Sequence, residues 1–273
     1  DRAVYGLSSG PHHAEIGQRM LDGCYAQILA TGTPRLLMDY ATAELVKVSA
    51  ISFLATKISF INAMAQVCDA TGADVTMLAT AIGMDDRIGR KLLRAGIGFG
   101  GGCLPKDIRA FHTCAEELGL SESLDFLTAV EKINDRQATY AIETAEDLLG
   151  GSLKGKRIAV LGTAFKPNSD DMRHSPARLI AQMLEDRGAT IVATDPAAGP
   201  LLAEQGTANV AASPEAAIDR SDATFLATEW KQSLDLDPST LTPAGKLVID
   251  GRNALDPDKW KAAGWIYQGI GRR

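Results

Sequence analysis

The residues best suited to chemistry stand in GIGFGGGCLPKD (96–107), where Gly96, Gly98, Gly100, Gly101 and Gly102 lead into Cys103, followed by Lys106 and Asp107. Glycine costs conformational entropy on folding, so a run of five belongs where the backbone turns sharply or comes close to something. Two uses fit. Cys103 is either a small hydrophobe in a tight turn or a nucleophile set where a substrate must approach. Pro105 suits the first turn of a helix, and a helix N-terminus with a nearby lysine favours a thiolate. Cys24, Cys68 and Cys114 have no such setting and read as core or inert thiols.

Basic residues recur at three other places. Lys47 lies within an otherwise apolar helical stretch, four residues before Ile51 and on the same face; it either snorkels to solvent or serves a cleft, and Lys57 poses the same choice. FKPNSDDMR (165–173) and DGRN (250–253) each follow an apolar run that reads as a strand, at the strand end where open α/β sheets bind ligands. Lys166, Arg173 and Arg252 at two such ends point to an anion site, against a bland reading as solvated loops. MDDRIGRKLLRAG (84–96) carries Arg87, Arg90, Lys91 and Arg94; it is either a solvated helix surface or a run from which one arginine faces the glycine turn.

The elements that must position these groups change character along the chain. Residues 12–30 read as a helix weakened by Gly17 and Gly23. Residues 39–70 run without Gly or Pro and are apolar on several faces, a spine buried by partners or shared with a second copy. Asp74 caps a short helix, 75–82, and helices follow from Pro105 to Leu118 and from Glu122 to Leu149. Then RIAVLG (157–162), ARLIAQMLEDRG (177–188) and TIVATD (190–195) read as strand, helix and strand, with further strands at ATFLAT (223–228) and KLVID (246–250). That alternation is the mark of a parallel sheet with covered faces. The fold class is therefore α/β: an all-helical central domain, 1–152, followed by a Rossmann-like parallel-sheet domain, 153–273. Residues 196–213 read as loop. The first strand ends in GTAFKP rather than GxGxxG, so no dinucleotide fingerprint stands here or elsewhere.

Composition narrows the field. The 273 residues are 45% hydrophobic and 23% charged with a formal net charge of −6, which gives no reason to expect nucleic acid. The absence of a continuous apolar run argues against a membrane span. The start, DRAVYGLSSG, lacks Met and a secretory pattern and reads as the start of a fragment or processed chain. Four cysteines without CxxC spacing read as reduced cytoplasmic thiols, and no metal is suggested.

Taken together, AELVKVSAISFLATKISFIN (43–62), GADVTMLATAIGMDDRIG (72–89), GIGFGGGCLPKD (96–107), LGTAFKPNSDDMRHSP (161–176) and DGRNALD (250–256) resemble the nucleotide-sugar dehydrogenases, in order and over nearly the whole chain. The ending DGRNALD resembles the branch that acts on UDP-glucose; GDP-mannose is the alternative substrate, and a truncated, non-catalytic sugar-nucleotide-binding or dimerising protein the alternative role. The resemblance implies an NAD-dependent four-electron oxidation in which Cys103 traps the aldehyde and then carries a thioester. It implies Lys47 as stabiliser of the oxyanion and Asp107 as helper of water and proton movement. It further implies Phe99, Gly100, Phe165, Lys166 and Arg252 against the nucleotide sugar, with Lys47 also at the substrate and Arg87 reaching it from a neighbouring subunit. Lys106 and Arg173 are implied at the cofactor, and the 39–70 helix at the core of a homodimer.

Two departures from the family pattern carry expectations of their own. The family's amino-terminal NAD-binding domain has no counterpart in these residues, so this chain is expected not to turn over alone. Ile51 stands where the family has asparagine, and isoleucine offers a water or oxyanion no hydrogen bond. Gly102, where relatives carry serine, is a milder change.

Overall fold

The computed structural model describes residues 2–205 and 209–272. In chain order the elements are β1 (Ala3–Leu7), α1 (Pro11–Cys24), α2 (Ala26–Ala30), β2 (Arg35–Asp39), α3 (Tyr40–Thr71), α4 (Val75–Gly83), α5 (Leu104–Glu117), a 3-10 turn (Ser121–Leu124) and α6 (Asp125–Leu148). There follow β3 (Arg157–Leu161), α7 (Pro176–Asp186), β4 (Thr190–Thr194), α8 (Gly199–Gln205), β5 (Asn209–Val210), α9 (Pro214–Ile218), β6 (Ala223–Leu226), α10 (Lys231–Leu234), β7 (Leu247–Asp250), α11 (Pro257–Ala262) and β8 (Ile266–Gly269). Two compact units share them, Asp1–Phe53 and Leu54–Arg273.

In the first unit β1 and β2 pair in parallel, with Tyr5 opposite Leu37, and α1 and α2 form the crossover. These strands correct the expectation of an all-helical opening. AVYGL and RLLMD are each five residues long, too short for periodicity to separate from helix, and their pairing spans the whole crossover. The helix expected over 12–30 is broken at Tyr25, which leaves the α region as the C-cap of α1.

In the second unit β3 to β8 form a six-stranded, all-parallel sheet in the order β5-β4-β3-β6-β7-β8. This is the doubly wound order, with its switch point between β3 and β6. Side chains alternate along β3: Ile158 and Val160 join one buried cluster, Ala159 and Leu161 another. The first cluster draws in Ile61 and Ala65 of α3, Ala141 and Ile142 of α6, and Ile180 and Leu184 of α7. The second is closed by Ile218 of α9 and by Trp260 and Trp265, whose rings meet edge-on at 4.7 Å.

Local chemistry explains several boundaries. Asp74 caps α4 by accepting from Thr76 N at 2.6 Å and Met77 N at 3.3 Å. Prolines occupy the first turn of α5, α7, α9 and α11. Two expectations change. Residues 84–96 are a series of turns rather than a helix, and the stretch 196–213 contains α8 and β5, with its residues 206–208 outside the described ones. By length and composition α3 passes for a membrane span, contrary to expectation. Ala55, Ile61 and Ala65 on one side of it are fully buried, whereas Phe53, Phe60 and Val67 are exposed.

Candidate active site

The glycine turn is held from four sides. Gly96 N donates to Asn62 Oδ1 on α3 at 2.9 Å, and Ile97 N donates to the Gly251 carbonyl beyond β7 at 3.0 Å. Asn134 on α6 bonds Phe99 in both directions, accepting from its N–H at 2.7 Å and donating to its carbonyl at 3.2 Å. Gly101 N donates to the Arg173 carbonyl at 2.9 Å. The glycines permit this closeness. A Cβ on Gly100 would lie 1.9 Å from the His174 carbonyl oxygen, and Gly101, at φ +85°, would press one 2.8 Å from the Phe165 ring.

The turn delivers Cys103 as the N-cap residue of α5, exposed, with its carbonyl accepting from Asp107 N at 2.9 Å. Asp107 is buried one turn on, and Lys106 Nζ lies 3.2 Å from its Oδ1 while remaining largely exposed. Arg173 lies alongside: its guanidinium carbon is 2.9 Å from where a Gly102 side chain would begin. Asp171 grips Arg173 in a two-toothed ion pair, Nε to Oδ1 at 3.0 Å and Nη2 to Oδ2 at 2.8 Å. That guanidinium holds the Asp171 carboxyl down to about 2, and the carboxylate raises the pKa of Arg173 in turn.

On the other side of the turn is a cavity of about 260 Å³, lined by Phe99, Gly100, Phe165, Lys166, Arg94, Glu229 and Arg252 among others. Lys166 Nζ stands 5.2 Å from the Phe165 ring centre. Arg252 donates Nε to the Ala227 carbonyl beyond β6 at 2.7 Å and Nη1 to the Gly98 carbonyl at 3.2 Å. Its Nη2 is buried with no hydrogen-bond partner among the described residues. Burial lowers the Arg252 pKa, opposed by Glu229, whose carboxylate lies 3.7 Å from Arg252 Nε and 3.7 Å from Arg94 Nη1. A larger cavity of about 440 Å³ shares Leu92, Arg94, Ala95 and Arg252 but touches neither the glycine turn beyond Ala95 nor Phe165.

The residues singled out by sequence thus divide. Cys103, Lys106, Asp107 and Arg173 gather at the head of α5, while Phe99, Gly100, Phe165, Lys166 and Arg252 share the cavity. Arg87 is exposed and bound to Asp85, outside the cavity lining. Lys47 lies on α3 within the first compact unit. Lys57, in the second, donates to the Ile88 and Gly89 carbonyls at 2.8 and 3.0 Å and so staples the turns after α4.

Sequence reasoning missed Asn62, Asn134 and Glu229. Asparagine inside a helix is a weak helix former, and two such residues facing a glycine-rich turn were a usable signal. Glu229 follows directly on the apolar run 223–228, at the same sheet edge as Lys166, and that position was the clue to it.

Comparison with known proteins places this arrangement. Residues 41–136 match the central domain, and residues 159–257 the UDP binding domain, of the UDP-glucose/GDP-mannose dehydrogenase family. A UDP-glucose 6-dehydrogenase of Bacillus subtilis, TuaD, is 38% identical over all of this chain and 58% of its own length. A UDP-glucose 6-dehydrogenase of Pseudomonas aeruginosa is 40% identical over 91% of this chain and 56% of its own. The structure of a UDP-glucose dehydrogenase from the archaeon Pyrobaculum islandicum is similar with a TM-score of 0.84 at 36% identity, covering 100% of this chain and 59% of that one. The chain spans about three fifths of the length of these relatives.

Proposed function

Because the chain belongs to the UDP-glucose/GDP-mannose dehydrogenase family, carrying its central and UDP-binding domains, we propose that it supplies the nucleotide-sugar-binding and thiol-bearing part of an NAD-dependent enzyme that oxidises the C6 alcohol of UDP-glucose to a carboxylate. The observation that carries the reading is the reach of Arg252. One guanidinium joins the rim of the sheet at Ala227 to the glycine turn at Gly98, so the cavity and the Cys103 helix belong to one framework.

In this reading the UDP moiety lies in the 260 Å³ cavity. Lys166 and the unpartnered Nη2 of Arg252 meet its diphosphate, and the Phe165 ring offers it an apolar face. Lys106 and Arg173 are largely exposed cations beside Cys103 and fit the phosphates of a dinucleotide. NAD, when bound, would supply a hydride acceptor; each molecule takes one hydride, so the four-electron oxidation of a primary alcohol would use two in turn. The Cys103 thiolate adds to the aldehyde carbon to form a thiohemiacetal. It then holds the oxidised carbon as a thioester until water attacks, releasing the carboxylate and the thiol. Lys47 stabilises the oxyanion, and Asp107 receives the proton of the attacking water. We keep the division at 152/153 as part of the proposal, supported by the two family segments that flank it. A homodimer through the 39–70 helix is supported by the exposure of Phe53, Phe60 and Val67, with Arg87 offered to the partner's site. Four free cysteines support a cytoplasmic setting.

Titration calorimetry of the chain with UDP-glucose and GDP-mannose tests the reading. Selective heat with UDP-glucose is expected. Preference for GDP-mannose moves the substrate to that branch, and binding of neither overturns a self-sufficient sugar-nucleotide site here.

A further inference from the structure

Asp195 is the most heavily bonded carboxylate described in the chain. It stands at the end of β4, beside the switch point, where a dinucleotide-binding sheet presents an acid to a ribose hydroxyl. Here protein donors occupy both its oxygens. Oδ2 accepts from Thr163 N at 2.7 Å, Ala164 N at 3.0 Å and the Trp230 indole N–H at 3.0 Å. Oδ1 accepts from Ala197 N at 3.0 Å and Ala198 N at 2.8 Å. The residue is buried, so a ligand would have to displace these donors to reach it.

Ala197 and Ala198 belong to the loop of Asp195 itself, and the other three donors to two loops that reach the cavity. Thr163 and Ala164 lie near the start of the loop after β3 and lead directly into Phe165 and Lys166; Trp230 follows Glu229 in the loop after β6. Backbone N–H groups from Gly162 to Phe165 are all bound: Gly162 to Thr194 O at 2.7 Å, Thr163 and Ala164 to Asp195, and Phe165 to Asp171 O at 3.0 Å. Two hydroxyls complete the set, Ser175 donating to Thr163 O at 2.7 Å and Thr228 to Ala164 O at 2.6 Å. Within this set Asp195 alone ties the β3 loop to the side chain of Trp230. We propose that Asp195 is a positioning residue that locks the Phe165–Lys166 loop and the Glu229 loop into one register, and thereby sets the affinity of the cavity for a nucleoside-diphosphate ligand.

The inference rests on the reading of that cavity as the nucleotide-sugar site, so its test has an arm that needs no ligand. Asp195→Asn keeps the shape but turns an amide donor toward N–H donors. Trp230→Phe keeps the ring and removes only the indole link. Hydrogen exchange of the full chain is expected to show loss of protection at 162–166 and 228–231 in Asp195→Asn, and at 228–231 in Trp230→Phe, while α6 stays protected. Unchanged exchange in these two loops, or an even loss across the chain, overturns the proposal. In calorimetry with UDP-glucose, Asp195→Asn is expected to weaken binding about tenfold or more and to be non-additive with Lys166→Ala. Strict additivity overturns the coupling. If the unmodified chain binds no UDP-glucose, the ligand assignment fails, and the exchange pattern still decides whether Asp195 locks the two loops.

Discussion

Arg252 and Gly98 are joined by a hydrogen bond of 3.2 Å across 154 positions of sequence. That bond fastens the glycine turn to the C-terminal rim of the sheet, and the same guanidinium holds Ala227 O beyond β6. The candidate site depends on this junction for both stability and recognition.

Arg252→Met removes both donors, leaves two carbonyls without their partner, and leaves the Glu229 carboxylate with Arg94 as its remaining cation. A loss of about 2–3 kcal/mol in unfolding free energy is expected in urea, with UDP-glucose binding abolished in calorimetry. Arg252→Lys should restore little of either, because an ammonium cannot span two carbonyls set by a planar fork.

Gly100→Ala sets a methyl group 1.9 Å from the His174 carbonyl. Backbone must move, and a cost of roughly 3 kcal/mol or more is expected in the urea midpoint. Gly23→Ala is the matched control: nothing lies within 4 Å of the added carbon, and the site is inside α1. There the helix should gain about 0.5–1 kcal/mol. Equal effects at the two glycines would refute the close-approach argument.

Thiol labelling separates the cysteines. Cys24, Cys103 and Cys114 are exposed, whereas Cys68 is buried and its pKa is raised by burial, then by Asp69 and Asp74. Iodoacetamide at neutral pH, followed by peptide mass spectrometry, should modify the first three and leave Cys68 at least about tenfold slower. Rapid modification of Cys68 would contradict the packing of α3 against α4.

The Asp171–Arg173 pair predicts a pH window. Its folded-state carboxyl sits at about 2, below the ordinary 3.8, chiefly through hydrogen bonds from the Arg173 side chain. A depressed carboxylate stabilises the fold above its unfolded value and loses that contribution as pH falls through the folded one. The stability difference between the unmodified chain and Asp171→Asn should therefore hold constant from neutral pH to about 4 and vanish towards about 2. As a surface pair it should also shrink with salt. A difference that changes between neutral pH and about 5 would assign the window to another group.

Legibility in the sequence followed the range of the interactions. The β3 strand was readable because both faces are buried, which leaves a continuous apolar run. Asp74 was readable as a cap because it bonds residues two and three positions away. The strands β1, β2, β5 and β8 were not: the first three are mostly part-buried or exposed, β8 carries Gln268 and Gly269, and none shows a continuous buried apolar run. Arg94 and Arg87 looked alike in one basic run; the turns after α4, stapled by Lys57, set Arg94 on the cavity and leave Arg87 exposed.

By itself the sequence determined a thiol, a cation and an acid at the head of a helix, a glycine run before them, and a parallel sheet behind. Those features reside in neighbours along the chain and in side-chain periodicity. Only the tertiary structure decided what the glycines must let pass, that Asn62 and Asn134 hold the turn, that Lys166, Glu229 and Arg252 face one cavity, and that Asp195 is spent on protein donors. The bonds of Asn62 and Asn134 to the turn and of Ala164 to Asp195 span 34, 35 and 31 positions, and Glu229 and Arg252 stand 23 apart. Such contacts form only when the sheet and its covering helices pack around a shared core.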